Sequence, residues 1–247
     1  MNSSKRLIIA VLSAVVVSLL ITAWHQWPGR AQPDSLVKTI SFRGAQYDVV
    51  ELPLDRFDVR LNWKKGGSRL AEVQGAVRTN AGIFEPDFVP TGLLVAEGKE
   101  LHPLQTTSGK GNFYLQPNGV FAITDQGAKV METSEYDGTG VREATQSGPL
   151  LVHRGVLHPK FTEGSENRAL RSGVGVRDPQ TVVLVISRGE VNLWTFASLF
   201  REELKCNDAL YLDGVISALW AKDAGREGDL DSKGPFAGII TAEPRLK

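Results

Sequence analysis

The stretch Asp208-Ala-Leu-Tyr-Leu-Asp213-Gly214-Val-Ile-Ser217-Ala-Leu-Trp220 decides the fold. Its first part is a short apolar run that stops at an Asp-Gly pair, which indicates a buried strand ending in a turn. Asp213 is therefore expected at the rim of a sheet, where α/β architectures commonly place their chemistry. We expect the other polar groups of interest to converge on this strand end.

A second strand and a helix precede that stretch. Residues 181–186 form a β-branched run, which is typical of a core strand. Residues 195–205 have helical spacing, with apolar side chains on one face and charged ones on the other. The sequence thus predicts a strand–helix–strand unit, whose crossover is right-handed if its two strands are parallel. The apolar helical face comprises Phe196, Leu199, Phe200 and Leu204.

Most of the remaining chain shows strand and turn patterns. Residues 57–63 alternate strictly between apolar and polar, as expected for a strand with one buried face. Residues 91–104 are typical of a hairpin that turns at Glu97-Gly98, and residues 111–115 are interpreted as a further strand. The predicted fold class is α+β, with a mixed, β-rich sheet core and few helices.

The composition limits the function. The chain has 247 residues and no net formal charge, so it lacks the basic footprint of a nucleic-acid-binding protein. The single cysteine, Cys206, excludes an internal disulfide. A buried structural thiol is the favoured interpretation, and a catalytic nucleophile is the alternative.

The N-terminus predicts an extracytoplasmic protein. Lys5 and Arg6 precede residues 7–24, which carry no charge and would span about 27 Å as a helix. An uncleaved transmembrane helix is favoured, and a signal peptide cleaved near Gly29-Arg-Ala31 is the alternative. The predicted organisation is an anchor at 1–24, a linker at 25–35 and a domain at 36–247. The expected location is the inner membrane, facing the periplasm, or the exterior as a secreted protein.

Three further polar residues stand out from their surroundings. Asn80 lies between small residues, Ser147 precedes Gly-Pro, and Arg171 enters a glycine-rich strand. From spacing alone, a capped turn, ordinary turn chemistry and a solvated arginine are competing interpretations. A Ser147–His153–Asp213 hydrolase triad is an alternative that rests on residue types only. No zinc-binding motif or phosphate-binding glycine loop is present.

Four motifs in order resemble the phosphodiester glycosidase family. They are Asn80-Ala-Gly-Ile-Phe84, Gln146-Ser-Gly-Pro-Leu-Leu-Val152, Arg171 with Gly173-Val-Gly175, and Ala209-Leu-Tyr-Leu-Asp-Gly214. The segments at 92–98 and 111–121 are similar to bacterial, exopolysaccharide-related members. The resemblance covers roughly residues 75–241 and implies hydrolysis of a sugar-1-phosphodiester on an envelope or exopolysaccharide glycan.

The resemblance also implies roles for particular residues. Asp213 would be the catalytic residue, as a base toward water or as a stabiliser of an oxocarbenium-like centre. Arg171 would clamp the phosphate, because this leaving group needs positive charge and oriented donors more than it needs protonation. Asn80 and Ser147 would donate hydrogen bonds to the substrate. Asn112 and Ser217 are predicted as further substrate-binding residues.

One position departs from the family pattern. Members commonly have Leu-Asp-Gly-Gly-Gly-Ser-Ser here, whereas this chain has Val215 and Ile216 after Gly214. The change removes backbone freedom and adds bulk beside the carboxylate. A non-catalytic glycan-binding or polysaccharide-assembly protein is therefore the alternative function. No cofactor is expected, and a divalent metal at Asp213 is left open.

Overall fold

A computed structural model describes residues 35–214, 216–222, 229 and 233–246. The compact folded unit is Leu36–Lys247. The predicted anchor at 7–24, most of the predicted linker at 25–35, and Val215 lie outside the described residues. Among the helices of the described ranges, none has the length and apolar character needed to cross a membrane.

Strands make up most of the described structure. One α-helix, α1 (Leu193–Ser198), continues directly into a wider π-helical turn at Leu199–Glu203. Short 3-10 turns occupy Leu70–Glu72, Pro86–Phe88, Asn112–Tyr114 and Thr133–Glu135. The strands are β1 (Lys38–Phe42), β2 (Ala45–Pro53), β3 (Phe57–Ser68), β4 (Val77–Asn80), β5 (Phe84–Glu85), β6 (Val89–Pro90), β7 (Leu94–Ala96), β8 (Lys99–His102), β9 (Gly119–Thr124), β10 (Gly127–Glu132), β11 (Val141–Ser147), β12 (Leu150–His153), β13 (Val156–Leu157), β14 (Ser172–Asp178), β15 (Thr181–Ser187), β16 (Asp208–Asp213), β17 (Leu219–Ala221) and β18 (Phe236–Pro244).

The strands form three main sheets and a small two-stranded one. The largest has seven strands in the order β1-β2-β15-β14-β16-β12-β13. A five-stranded sheet has the order β10-β9-β11-β7-β8, and a four-stranded sheet has the order β17-β4-β18-β3. Strands β5 and β6 pair with each other. The prediction of a β-rich α+β domain with few helices is confirmed.

The prediction of a mixed sheet is wrong, because every strand pair in the described ranges is antiparallel. Strands β15 and β16 do run parallel to each other and flank α1, as the predicted strand–helix–strand unit requires. They are not neighbours, however, since β14 lies between them and pairs antiparallel with both. Strand β14 precedes the unit in sequence, so the unit's own pattern contains no sign of this insertion.

The central strands of the large sheet are buried on both faces. In β15, Val182 and Leu184 pack into the core shared with the other sheets, whereas Val183 packs under the helix. Strand β16 follows the same rule, with Leu210 and Leu212 on the first side and Ala209 and Tyr211 on the helix side. Burial on both faces explains why these segments are continuous apolar runs without alternation.

The helix covers the second face of the large sheet. Asn192 caps its first turn by accepting a hydrogen bond from the Thr195 N–H, 2.8 Å away. The predicted apolar face is confirmed, because Phe196, Leu199, Phe200 and Leu204 are all buried. The glycines of β14 make room for this face: a Cβ on Gly175 would lie 2.7 Å from the Phe200 ring and 2.8 Å from the Cys206 sulfur.

The turns of the β-meander follow the sequence with one exception. Glu97 and Gly98 both have positive φ and close the hairpin of β7 and β8, as predicted. Residues 111–115 are a 3-10 turn and not a strand. Gly111 has φ 92°, outside the range of an extended strand, and the N–H groups of Tyr114 and Leu115 bond three residues back.

Replacing Gly175 with alanine is expected to destabilise the protein by about 1–3 kcal/mol, because the new Cβ would overlap Phe200 and Cys206. Gly189→Ala is the matched control, since no heavy atom lies within 4 Å of its added Cβ. That control is expected to change stability by less than about 0.5 kcal/mol. Urea unfolding of both variants measures the difference, and equal stabilities would contradict the packing role of Gly175.

Candidate functional site

Asp213 ends β16, the strand that pairs with both β14 and β12. Its side chain is only partly exposed, and burial raises its pKa to about 6. The Gly214 N–H donates to its Oδ1 at 2.6 Å. This hydrogen bond favours the ionised form and partly offsets the rise in pKa. A carboxyl group with a pKa near the working pH is suited to accept and return a proton.

Two serines hold the backbone on either side of the Asp213 Cα atom. Ser147, at the end of β11, donates its hydroxyl hydrogen to the Leu212 carbonyl at 3.1 Å and accepts from the Ile83 N–H at 3.3 Å. Ser217 donates to the Asp213 carbonyl at 2.9 Å. Both serines are fully buried. In this structure, therefore, their hydroxyl hydrogens bond to the protein itself.

Asn80 reaches the same place from the four-stranded sheet. Its Nδ2 donates to the Ser172 Oγ at 3.0 Å and to the Ala81 carbonyl at 3.0 Å, while its Oδ1 accepts from the Ala218 N–H. Ser172 is paired with Asp213 in the sheet, and its Oγ lies 3.0 Å from the Ser217 Oγ. Asn80 is thus joined to the Asp213 backbone through two hydroxyls.

Arg171 is a buried cation with a side chain that is 1% exposed. Its Nε donates to the Val191 carbonyl at 2.7 Å, its Nη2 donates to the Asn167 carbonyl at 3.1 Å, and its Nη1 donates to the Tyr211 hydroxyl at 3.3 Å. Burial lowers its pKa. Among the described residues no carboxylate lies within ion-pair distance of it, and one Nη1 hydrogen has no acceptor. Such a buried guanidinium is suited to an incoming anion.

Tyr211 links Arg171 to the strand end. It lies two residues before Asp213 on β16 and pairs with Gly173, whereas Asp213 pairs with Ser172 across a β-bulge. Its hydroxyl accepts from Arg171 and hydrogen-bonds to the side chain of Asn112, and burial raises its pKa to about 12. A Cβ on Gly214 would lie 2.7 Å from this hydroxyl, so glycine is needed at that position.

Asp213 lies in the segment 211–214, and the other five residues predicted from the sequence contact that segment directly or through one or two side chains. Their assigned roles in catalysis and substrate binding stay predictions. Tyr211 and Ser172 were not among the predicted residues, although both lie within the quoted motifs or next to them. Ser172, which simply follows Arg171, gave no signal of its own. The six are Asn80, Asn112, Ser147, Arg171, Asp213 and Ser217.

The two alternative nucleophile arrangements do not form. His153 pairs with Asp208 through Nδ1 at 3.1 Å, at the opposite end of β16 from Asp213. Asp208 and Asp213 are five positions apart along β16, a rise of about 17 Å at about 3.4 Å per residue, so the proposed Ser147–His153–Asp213 triad is wrong. Cys206 is buried, and burial raises its pKa to about 12, which keeps it a neutral structural thiol at physiological pH.

Of the two residues that depart from the family pattern, Ile216 is among the described residues and Val215 is not. The Ser217 N–H donates to the Gly214 carbonyl at 2.8 Å. Ile216 is 37% exposed. A bulky, partly exposed residue thus precedes Ser217, which donates to the Asp213 carbonyl, at a position where the family commonly has glycine. No cluster of three or more potential metal ligands occurs in the part of the chain that the structure describes.

Asp213→Asn is expected to stabilise the protein at pH 8 by about 3 kcal/mol relative to the parent, because burial in the folded state raises the pKa of Asp213 from 3.8 to about 6. The native state then binds more protons than the unfolded state between pH 4 and 6. Stability contributed by this group consequently falls as the pH rises through that window. Urea unfolding at pH 4 and pH 8 measures the effect. A difference that does not shrink at pH 4 would contradict it.

Comparison with known proteins identifies a family model and a curated relative that this chain matches. A model described as phosphodiester glycosidase matches residues 71–238, more than half of the chain. The uncharacterized protein YigE of Escherichia coli is 29% identical over 198 residues, which cover 75% of this chain and 77% of YigE.

Two solved structures share the fold. The zebrafish N-acetylglucosamine-1-phosphodiester alpha-N-acetylglucosaminidase catalytic domain, auto-inhibited by its pro-peptide, superposes with a TM-score of 0.61 at 14% identity, covering 87% of this chain and 85% of that one. A putative exported protein of Burkholderia pseudomallei gives a TM-score of 0.55 at 11% identity, covering 81% of this chain and 74% of its own. The extent of the match to the family model shows that this chain belongs to the phosphodiester glycosidase family.

Proposed function

We propose that this protein hydrolyses the bond between the anomeric carbon and the phosphate of a sugar-1-phosphodiester on an envelope or exopolysaccharide glycan. One observation carries the proposal most directly. Arg171 is a buried guanidinium with no carboxylate partner in the described ranges, and Tyr211 joins it to the strand that ends at Asp213. A buried cation without a carboxylate partner in the described ranges, joined through Tyr211 to the strand that ends in a titratable carboxyl group, suits a phosphate leaving group.

The proposed reaction is a hydrolysis at the anomeric carbon. Water attacks the anomeric carbon, the bond from that carbon to the phosphate oxygen breaks, and the phosphate monoester leaves with the bonding electrons. Asp213, when ionised, takes a proton from the water. Arg171 and the donors near it offset the charge that develops on the leaving phosphate. The leaving group is already a stable anion, so a second carboxyl acid, as in ordinary glycosidases, is not required.

A binding function without turnover is the second candidate. It is favoured by Ile216, which lies partly exposed in the turn after Asp213 where the family commonly has glycine. It is also favoured by Asn80, Ser147 and Ser217, whose donors are bonded to the protein. A protein of this kind would hold a phosphorylated glycan for assembly and release no sugar.

Incubation with the methyl phosphodiester of N-acetylglucosamine 1-phosphate separates the two candidates. Phosphorus NMR is expected to show the diester converting to methyl phosphate while free sugar appears. Asp213→Asn is the control for contaminating activity. Binding of the diester by calorimetry without any release of sugar would favour the second candidate.

We also propose that residues 7–24 anchor the domain outside the cytoplasm, because this uncharged stretch follows Lys5 and Arg6. Membrane fractionation of the full chain tests this. Recovery in the soluble extracellular fraction, with a new N-terminus near Ala31, would favour cleavage instead.

A further inference from the structure

The hydroxyls of Ser172 and Ser217 form a line of hydrogen bonds that leads to the Asp213 carbonyl, and each donor in this line can be identified. The Ser217 hydroxyl has one hydrogen and lies 2.9 Å from the Asp213 carbonyl and 3.0 Å from the Ser172 Oγ. A carbonyl oxygen only accepts, so the Ser217 hydrogen goes to Asp213. The hydrogen between the two serines therefore comes from Ser172.

The start of the line is fixed in the same way. The Asn80 Oδ1 faces the Ala218 N–H, and its Nδ2 faces the Ala81 carbonyl. These two neighbours allow only one orientation of the amide. Its second N–H then donates to Ser172, which has no other donor among the described residues. Hydrogen bonds thus run in one direction, from Asn80 to Ser172, to Ser217 and to the Asp213 carbonyl.

This line joins three separate parts of the fold. Asn80 ends β4 of the four-stranded sheet, Ser172 begins β14 of the large sheet, and Ser217 belongs to the turn after Asp213. All three side chains are at least 99% buried. Each hydroxyl in the line both accepts and donates, so removal of the middle member leaves an unpaired buried group on each side.

We propose that Ser172 is a positioning residue that orients the Asp213 carboxyl group through Ser217 and the Asp213 peptide. The inference rests on the proposed function for its kinetic consequence, although the geometry is independent of it. Asn80 and Ser217 act in the same line, which gives these predicted substrate-binding residues a task that needs no contact with substrate.

The test is Ser172→Ala, measured in two ways. With the sugar-1-phosphodiester, kcat is expected to fall about 10-fold or more while KM stays within about twofold. The reason is that the displaced group, the Asp213 carboxyl, acts in the transition state. By NMR, the Gly214 amide proton is expected to shift, since its N–H donates to the Asp213 Oδ1. The second measurement needs no turnover, so it remains informative if the proposed function fails.

Two further variants serve as a control and as an independent test. Ser198→Ala removes a buried hydroxyl that has no hydrogen-bond partner among the described residues, and it is expected to leave both kcat and the Gly214 signal unchanged. Ser217→Ala breaks the same line one step later and is expected to reproduce the loss. The double variant should lose no more than the larger single loss, because the two serines act in series. Unchanged Gly214 signals in both single variants, or additive losses in kcat, would overturn the proposal.

Discussion

Asp213→Asn is expected to lower kcat on a sugar-1-phosphodiester by about 10²–10⁴-fold, the range for loss of a positioned general base. The substitution keeps the size of the side chain and an oxygen that can accept from the Gly214 N–H, 2.6 Å away in the parent. What it removes is the ability to take a proton. KM should therefore change little compared with kcat.

The matched control is Asp208→Asn, at the other end of the same strand. Asp208 accepts hydrogen bonds from the Arg154 N–H at 2.8 Å and interacts with His153, and it is remote from Asp213 along β16. It is expected to retain parental turnover. Parental turnover in Asp213→Asn would instead remove Asp213 from the mechanism, and a loss in both variants would point to a general effect on the strand.

Removal of the Arg171 guanidinium is expected to have the second large effect. Arg171→Met should lower kcat/KM by about 10²-fold or more, equivalent to about 3 kcal/mol for lost hydrogen bonds to a charged group. The kcat/KM of Arg171→Lys should lie between those of the parent and Arg171→Met, because lysine keeps the positive charge but lacks the planar guanidinium. In both variants, the carbonyls of Val191 and Asn167 lose part or all of their donors, so stability will also decline.

Anion binding separates the site effect from that decline. N-acetylglucosamine 1-phosphate at about tenfold above its Kd should raise the parent Tm by about 3–6 °C, and the rise should be absent in Arg171→Met. Arg177→Met is the control, because Arg177 already pairs with Glu51 at 2.9 Å. An equal rise in Tm for Arg171→Met and the parent would show that the anion binds elsewhere.

Local patterns predicted the elements well and their arrangement poorly. The apolar run before Asp213 and the helical face of Phe196 and Leu199 each depend on a few neighbouring residues, so both could be recognised in the sequence. Strand β14 between β15 and β16 is a long-range pairing that no local period encodes. Residues 111–115 had a strand-like composition, but the positive φ of Gly111 begins a turn there.

The site was predicted in its members more than in its connections. Motif resemblance selected Asn80, Arg171 and Asp213, and the fold does bring them close to one strand end. It gave no hint that Asn80 reaches Asp213 through Ser172, because that contact joins two sheets. Tyr211 was overlooked since a tyrosine in an apolar strand is most simply explained as core packing.

Burial of β16 on both faces has a consequence for how the protein would lose activity. The strand that ends at Asp213 lies beneath α1 on one side and against the other sheets on the opposite side, with paired strands along both edges. Its amides should accordingly exchange with solvent only when the whole domain opens. Loss of catalysis on heating would then coincide with global unfolding, because the strand that carries Asp213 cannot detach by itself.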